Sequence, residues 1–264
     1  MCLVAVAWRM HPRWPLALIA NRDELHARPT AAAGFDPEAP DVYGGRDLVQ
    51  GGGWLQLSRQ GRLAAVTNVR SGPGADTAPR SRGWLVRDFV RGQGDGAQAY
   101  AAALAAQAHD FGRFNLLLHE PGHLVFAGNH PRFSAHPVAT GLHAMSNGAF
   151  DAPWPKGVSA TRALQAWLEA PLADRPEPDA DALEPLFAAL GDTTRAPDDA
   201  LPDTGVGLAL ERALSPPFVL DAHYGTRCSS VVLAGAGQLV FAERRFGPAG
   251  EVLGDSFVRL RPDN

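Results

Sequence analysis

The chain opens on an unbroken apolar run, Cys2-Leu3-Val4-Ala5-Val6-Ala7-Trp8, which reads as a buried strand. It returns to strands at its far end, with helical stretches between, and that order predicts two sheets covered by helical layers. Residues 2–9 and 16–20 flank the turn His11-Pro12-Arg13-Trp14-Pro15, so the first two strands form a hairpin that ends in Asn21-Arg22-Asp23-Glu24. A polar, Pro-containing loop is expected from there to Tyr43. Strands follow at 54–58 and 62–69, around Arg59-Gln60-Gly61. Leu85, Val86, Phe89 and Val90 have helical spacing, and 97–108 is alanine-rich helix.

Further strands are expected at 114–118, 124–127 and 140–146. A helix over 159–170 puts Leu164, Trp167 and Leu168 on one face. The stretch 171–203 is rich in Pro and Asp and reads as a solvent-facing excursion with one short helix, 182–190. Strands return at 218–222, 227–234 and 238–244, with a weaker one at 257–260. At 264 residues the chain suits a single domain spanning 1–264.

A formal net charge of −4 gives no basic excess to attract nucleic acid. Of 24 basic residues only Lys156 is a lysine; with the many Ala, Gly and Pro residues, this reads as the drift of a GC-rich bacterial genome. Two cysteines, Cys2 and Cys228, are too few for a disulfide framework, and a reducing cytoplasm is the simplest location. The apolar start lacks the basic flank of a signal peptide, and no run approaches the ~18 apolar residues of a membrane helix.

Cys2 carries the sharpest chemistry. Cysteine is small enough for an initiator methionine to be trimmed off behind it, leaving a thiol and a free α-amine on one residue. The amine titrates near ~8 and the thiol near ~8.5 in unperturbed form. Each can exchange a proton with the other close to neutrality, so the pair can act as nucleophile and base. The other reading of Cys2 is a small buried hydrophobe on an edge strand.

Asn21-Arg22-Asp23-Glu24 is either a solvated turn or a cluster that the hairpin carries back beside Cys2. There a carboxylate can hold the α-ammonium while an arginine lowers the thiol pKa. Gly44-Gly45-Arg46-Asp47 and Gly51-Gly52-Gly53-Trp54 lack the lysine of a phosphate loop. They read as turn glycines, or as places where backbone approaches a ligand closely. Asn68 and Asn147 are uncharged amides where apolar strands give out; each can cap a turn or donate to an oxyanion. Six of the nine histidines fall between His109 and His143, without metal-ligand spacing, so no metal site is expected. An axial haem ligand from one histidine stays open.

Taken together, these segments resemble the NRDE family, also called the transport and Golgi organisation protein 2 family. The resemblance rests on Met1-Cys2, Asn21-Arg22-Asp23-Glu24, Arg28-Pro29, Gly44-Gly45-Arg46-Asp47, Gly52-Gly53-Trp54-Leu55, Thr67-Asn68-Val69-Arg70 and Ser81-Arg82-Gly83. It continues through Phe114-Asn115-Leu116-Leu117, Ser146-Asn147, Pro153-Trp154-Pro155-Lys156 and Tyr224-Gly225-Thr226-Arg227. That family is more distantly similar to cysteine-type N-terminal nucleophile hydrolases. The resemblance implies an α+β fold, a four-layer αββα sandwich.

The same resemblance implies Cys2 as nucleophile, Asp23 as partner of its amine, Asn68 and Asn147 near the oxyanion, and Arg227 beside the thiolate. Arg22 departs from the hydrolase pattern by standing next to Asp23, because adjacent strand residues face opposite ways. Arg22, Trp54, Arg70, Trp84, Trp154 and Lys156 are the candidate substrate-binding residues. The tryptophans can wall an acyl chain or belong to the core.

Two functions are therefore expected. One is hydrolysis of a linear non-peptide amide or acyl substrate, with no cofactor required. The other, which the family resemblance implies, is non-catalytic binding and trafficking of haem or another hydrophobic ligand, a lipid or acyl-CoA. Neither involves nucleic acid or an integral membrane segment, and the oligomeric state is left open.

Overall fold

The computed structural model describes residues 2–72, 77–92, 94–235 and 237–261; the side chain of Cys2 lies outside the description, as does Met1. In chain order the elements are β1 (Cys2–Trp8), β2 (Leu16–Leu25), β3 (Thr30–Asp36), β4 (Ala39–Asp47), β5 (Leu55–Ser58) and β6 (Leu63–Asn68). Helices α1 (Gly83–Arg91) and α2 (Ala97–Ala103) follow, then β7 (Phe114–Glu120), β8 (His123–Gly128), β9 (Ser134–Pro137) and β10 (Gly141–Met145). The remainder is α3 (Pro155–Leu168), α4 (Ala180–Leu190), α5 (Leu208–Ala213), β11 (Tyr224–Gly235), β12 (Gln238–Phe246) and β13 (Val252–Leu260). The chain forms two compact units, each built on one sheet.

The first unit, residues 1–27, 70–73 and 140–259, carries a six-stranded sheet in the order β10-β1-β2-β11-β12-β13. One face packs Leu3, Ala5, Ala7, Ala17, Ile19, Val231 and Leu233 against Leu164, Trp167 and Leu168 of α3 and Leu183, Leu186, Phe187 and Leu190 of α4. The alanines on β1 and β2 leave room for α3 to lie close. Val4, Val6, Leu16, Leu18 and Val232 alternate with these residues and are buried as well. Burial on both faces is why β1 and β2 read as continuous rather than alternating apolar runs.

The second unit, residues 28–69, 74–139 and 260–264, carries a seven-stranded sheet in sequential order from β3 to β9. Val66, Leu116, Leu118 and Val125 pack under Leu85, Val86, Phe89 and Val90 of α1 and Ala97 and Ala101 of α2. His119 of β7 is buried with Nδ1 3.0 Å from the Gly61 carbonyl, which requires Nδ1 to donate. Burial pushes its pKa down to about 4.

Because the folded value lies below the unfolded one of 6.5, the contribution of His119 is complete above about pH 6.5 and lost as pH falls toward 4. The loss is on the order of 3 kcal/mol. Urea unfolding at about pH 7 and about pH 4.5 is expected to show it, and His119→Gln to remove most of the difference.

Three expectations are corrected. The loop expected before Tyr43 is the β3–β4 hairpin; Ala31-Ala32-Ala33-Gly34 lacks β-branched residues, and Pro37 and Pro40 imitate a loop. The apolar segment 218–222 is not a strand: Pro216-Pro217 precede it, and its N–H groups reach Asp192 O from Phe218 and Thr226 Oγ1 from Val219. The stretch 171–203 is not wholly solvent-facing, since α4 contributes to the first unit's core.

Candidate active site

The apolar hairpin does not end before Asn21-Arg22-Asp23-Glu24; β2 continues through all four residues. Polar side chains can extend a buried strand when their polar atoms are satisfied. Asn21 Nδ2 donates to the carbonyls of Leu190 at 2.8 Å and Pro217 at 2.9 Å, and its Oδ1 accepts from Ser229 Oγ at 2.6 Å. Asn21 thus ties β2 to α4, β11 and the segment after α5. Asn21→Ala strands these partners in the interior and is expected to cost about 2–3 kcal/mol in urea unfolding; a loss near zero would deny the amide this role.

Register lines several candidates up at one end of the first sheet. Cys2 on β1 pairs directly with Arg22 on β2. Arg22 in turn pairs with Cys228 on β11, while Asp23 pairs with Thr226. Between those two pairs the register slips, so Arg227 is the extra residue of a β-bulge. On the other side of β1, Val4 pairs with Met145 of β10. Asn147 follows two residues later, so the chain leaves the sheet level with Cys2. Cys2, Arg22 with Asp23, and Thr226 with Arg227 therefore form one row across three neighbouring strands, and Asn147 lies just past the end of the fourth, β10.

The two charged residues of β2 alternate in direction. Asp23 lies on the side of the helices, fully enclosed. Its Oδ1 accepts from Thr226 Oγ1 at 2.7 Å, and Tyr224 Oη donates to its backbone carbonyl at 3.0 Å. Burial raises the Asp23 pKa above the ordinary carboxylate value, and the ammonium of Lys156 opposes the rise. Lys156 stands at the start of α3, itself 3% exposed, with Nζ donating to the Leu214 carbonyl at 3.2 Å. The chain's sole lysine is thus a buried charge compensating a buried carboxylate in the same unit.

Arg22 is buried with Nη2 3.6 Å from Glu24 Oε2. Arg227 donates from Nη1 to the Leu25 carbonyl at 2.9 Å; burial and the neighbouring Arg22 charge both lower its pKa. Arg70 is held by its own surroundings: Nε donates to Thr204 Oγ1 at 2.7 Å, Nη2 to Glu211 Oε2 at 2.5 Å, and the guanidinium lies 5.6 Å from the Trp154 ring centre. The Arg70 backbone N–H donates to the Asn147 carbonyl at 2.8 Å, so this cluster fixes where Asn147 sits.

Asn68 ends β6 in the second unit, which also holds Trp54 and Trp84. The Arg87 guanidinium stacks 4.7 Å from the Trp84 ring centre, and that ring packs against the second core. Gly52 and Gly83 touch backbone to backbone; a Cβ on Gly52 would lie 2.4 Å from the Gly83 carbonyl carbon, so this motif glycine serves a close approach.

The histidines between 109 and 143 are dispersed. Among the described residues no group of three His, Cys, Asp or Glu could hold a metal, and no helix is long and apolar enough to cross a membrane.

Thr226, Tyr224 and Asn21 were not singled out from sequence as individual partners of the site. Thr226 and Tyr224 stand in the Tyr224-Gly225-Thr226-Arg227 segment, but only the pairing of β2 with β11 reveals that they hold Asp23.

The architecture is that of the N-terminal nucleophile hydrolases. It matches the Caenorhabditis elegans ortholog of N-acylethanolamine-hydrolyzing acid amidase with a TM-score of 0.50 and 12% identity, over 88% of this chain and 92% of that one. A variant of conjugated bile acid hydrolase from Clostridium perfringens matches with a TM-score of 0.53 and 7% identity, over 100% and 94% of the two chains. Within that architecture the chain belongs to the transport and Golgi organisation 2 family, whose family model matches residues 1–248. The Bos taurus transport and Golgi organization protein 2 homolog is 32% identical over 262 residues, 92% of each chain. The Homo sapiens homolog is 29% identical over 261 residues, again 92% of each.

Proposed function

We propose that the chain is an N-terminal-cysteine amidohydrolase acting on a linear, non-peptide amide or acyl substrate. The observation that carries this reading is the row Cys2, Arg22–Asp23, Thr226–Arg227 across three paired strands, with Asn147 just past the end of β10 beside it. Removal of Met1 exposes the α-amine of Cys2, which takes the thiol proton as the sulfur attacks the substrate carbonyl. Asn147 donates to the oxyanion, and the guanidinium groups of Arg22 and Arg227 favour the thiolate. The ammonium then gives its proton to the leaving nitrogen, the amine product departs, and a thioester on Cys2 remains. Water, deprotonated by the same amine, releases the carboxylic acid and restores the thiol. Asn68 keeps only the assignment that the family resemblance gives it.

The substrates named for the two solved relatives, an N-acylethanolamine and a conjugated bile acid, supply the first compounds to try. Each is to be incubated with the protein, quenched in acid and mapped by peptide mass spectrometry. The expected result is an acyl group on the peptide that begins with Cys2, together with released amine. The competing reading, binding and hand-on of haem, a lipid or acyl-CoA, predicts retention of such a ligand with no acylated peptide from any linear amide.

A further inference from the structure

Asn147, the oxyanion donor of the mechanism above, stands on no strand; it lies in the turn that follows β10, an edge of the first sheet. Carrying the pairing of Val4 with Met145 on by two residues brings this turn to the level of Cys2. A donor on a turn stabilises an oxyanion only while the turn is held, because a displacement of about 1 Å at a reacting centre can cost about a hundredfold in rate.

The turn closes on itself at Asp151. The Asp151 N–H donates to the Ala144 carbonyl at 2.9 Å, and the Ala144 N–H donates back to Asp151 Oδ1 at 2.9 Å. Asp151 thus engages both backbone groups of Ala144, as a residue on a neighbouring strand would. Its other oxygen, Oδ2, accepts from Nδ1 of His143 at 2.7 Å, and the His143 ring stacks on Phe150 with centres 5.6 Å apart. Both carboxylate oxygens are therefore engaged at the end of β10, and the chain from Ala144 to Asp151 forms a clasped loop with Asn147 inside it.

Packing does not account for the aspartate, whose side chain is 43% exposed. Its backbone is left-handed, with φ 58°, a conformation that Asp and Asn tolerate better than other side chains because they bond the local backbone. Between its ends the loop is fixed at two further points. The Arg70 N–H holds the Asn147 carbonyl at 2.8 Å, and the Trp154 ring lies over Gly148, where a Cβ would come within 2.5 Å of Cζ2.

We propose that Asp151, oriented by His143, is a positioning residue that sets the Asn147 amide for the oxyanion. The proposal rests on the Cys2 reading above and adds to it a clasp outside the reacting atoms.

Two reagents separate that role from any effect on the thiol. With p-nitrophenyl acetate, attack by the Cys2 sulfur passes through an oxyanion, expels p-nitrophenolate and leaves an acetyl thioester that water cleaves to acetate. Iodoacetamide alkylates the same sulfur by displacing iodide at a saturated carbon, with no oxyanion formed. Asp151→Gly keeps the left-handed backbone and removes only the side-chain bonds. It is expected to lower kcat for the ester at least about tenfold, with KM within about threefold and Cys2 alkylation within about twofold of the unsubstituted chain. Asp151→Asn tolerates the same φ and still accepts from Ala144, so kcat is expected to recover to within about threefold. Should Asp151→Gly fail to fold by circular dichroism, His143→Phe carries the same test: it keeps the ring stack and is expected to lose at least about threefold in kcat. An unchanged kcat, or alkylation that falls in step with kcat, would overturn the proposal. An unsubstituted chain that gains no acetyl group on its Cys2 peptide would instead remove the Cys2 reading, and the proposal with it.

Discussion

Cys2→Ala is expected to lower turnover of a linear amide by on the order of 10⁴-fold or more, the scale seen when a nucleophile acting in a concerted unit is removed. The loss should fall on kcat, because the sulfur forms its bond after substrate is bound. The fold should survive: β1 is held by backbone pairing to β2 and β10 and by the burial of Leu3 to Trp8. Circular dichroism and a urea melt check the second half of the expectation, and single-turnover kinetics the first. Full activity in the alanine variant would exclude Cys2 as nucleophile, whereas an unfolded variant would show that the start of β1 needs its thiol.

Lys156→Met should be strongly destabilising near neutral pH, by on the order of 1–3 kcal/mol, since it removes a buried cation's bond to the Leu214 carbonyl and the charge that opposes the burial of Asp23. Methionine keeps the unbranched stem and the packing at the start of α3. What is lost is the charge that opposes the burial of Asp23. The pH dependence has a definite sign. A carboxyl whose folded pKa lies above its unfolded value of 3.8 binds protons more readily in the folded state, so its contribution is most favourable at low pH and declines as pH rises through the folded pKa. Without Lys156 the Asp23 pKa climbs further, and that decline extends to higher pH. Urea unfolding should therefore show a larger deficit at about pH 7 than at about pH 4. An equal deficit at both would mean that Lys156 acts through packing alone.

The first hairpin was legible because continuous apolar runs leave a strand little alternative to the middle of a sheet. The same logic failed at 218–222, where an apolar segment is buried as a loop whose N–H groups are met by Asp192 and Thr226. It failed in the opposite direction for β3, whose alanines and Gly34 carry no strand signal and are ordered by pairing with β4.

Within the site, the approach of Arg22 to Cys2 follows from a local hairpin and could be anticipated. The company of Asp23 could not. Thr226 lies 203 positions away and the Lys156 charge acts on the carboxyl from the helical layer, and only long-range pairing and packing bring either of them in. The alternation that put Arg22 and Asp23 on opposite faces was readable from sequence, and the continuation of β2 to Leu25 made it apply. The NRDE segment is thus a working length of strand: Asn21 anchors it, Arg22 stands opposite Cys2, and Asp23 accepts from Thr226 within the field of the buried lysine.

The claim beneath all of this is that one residue supplies both nucleophile and base. Intact-mass measurement of the purified chain tests it most directly. The prediction is a mass short of the encoded chain by one methionine, leaving Cys2 with a free amine; a mass that retains Met1 in fully active protein would contradict it.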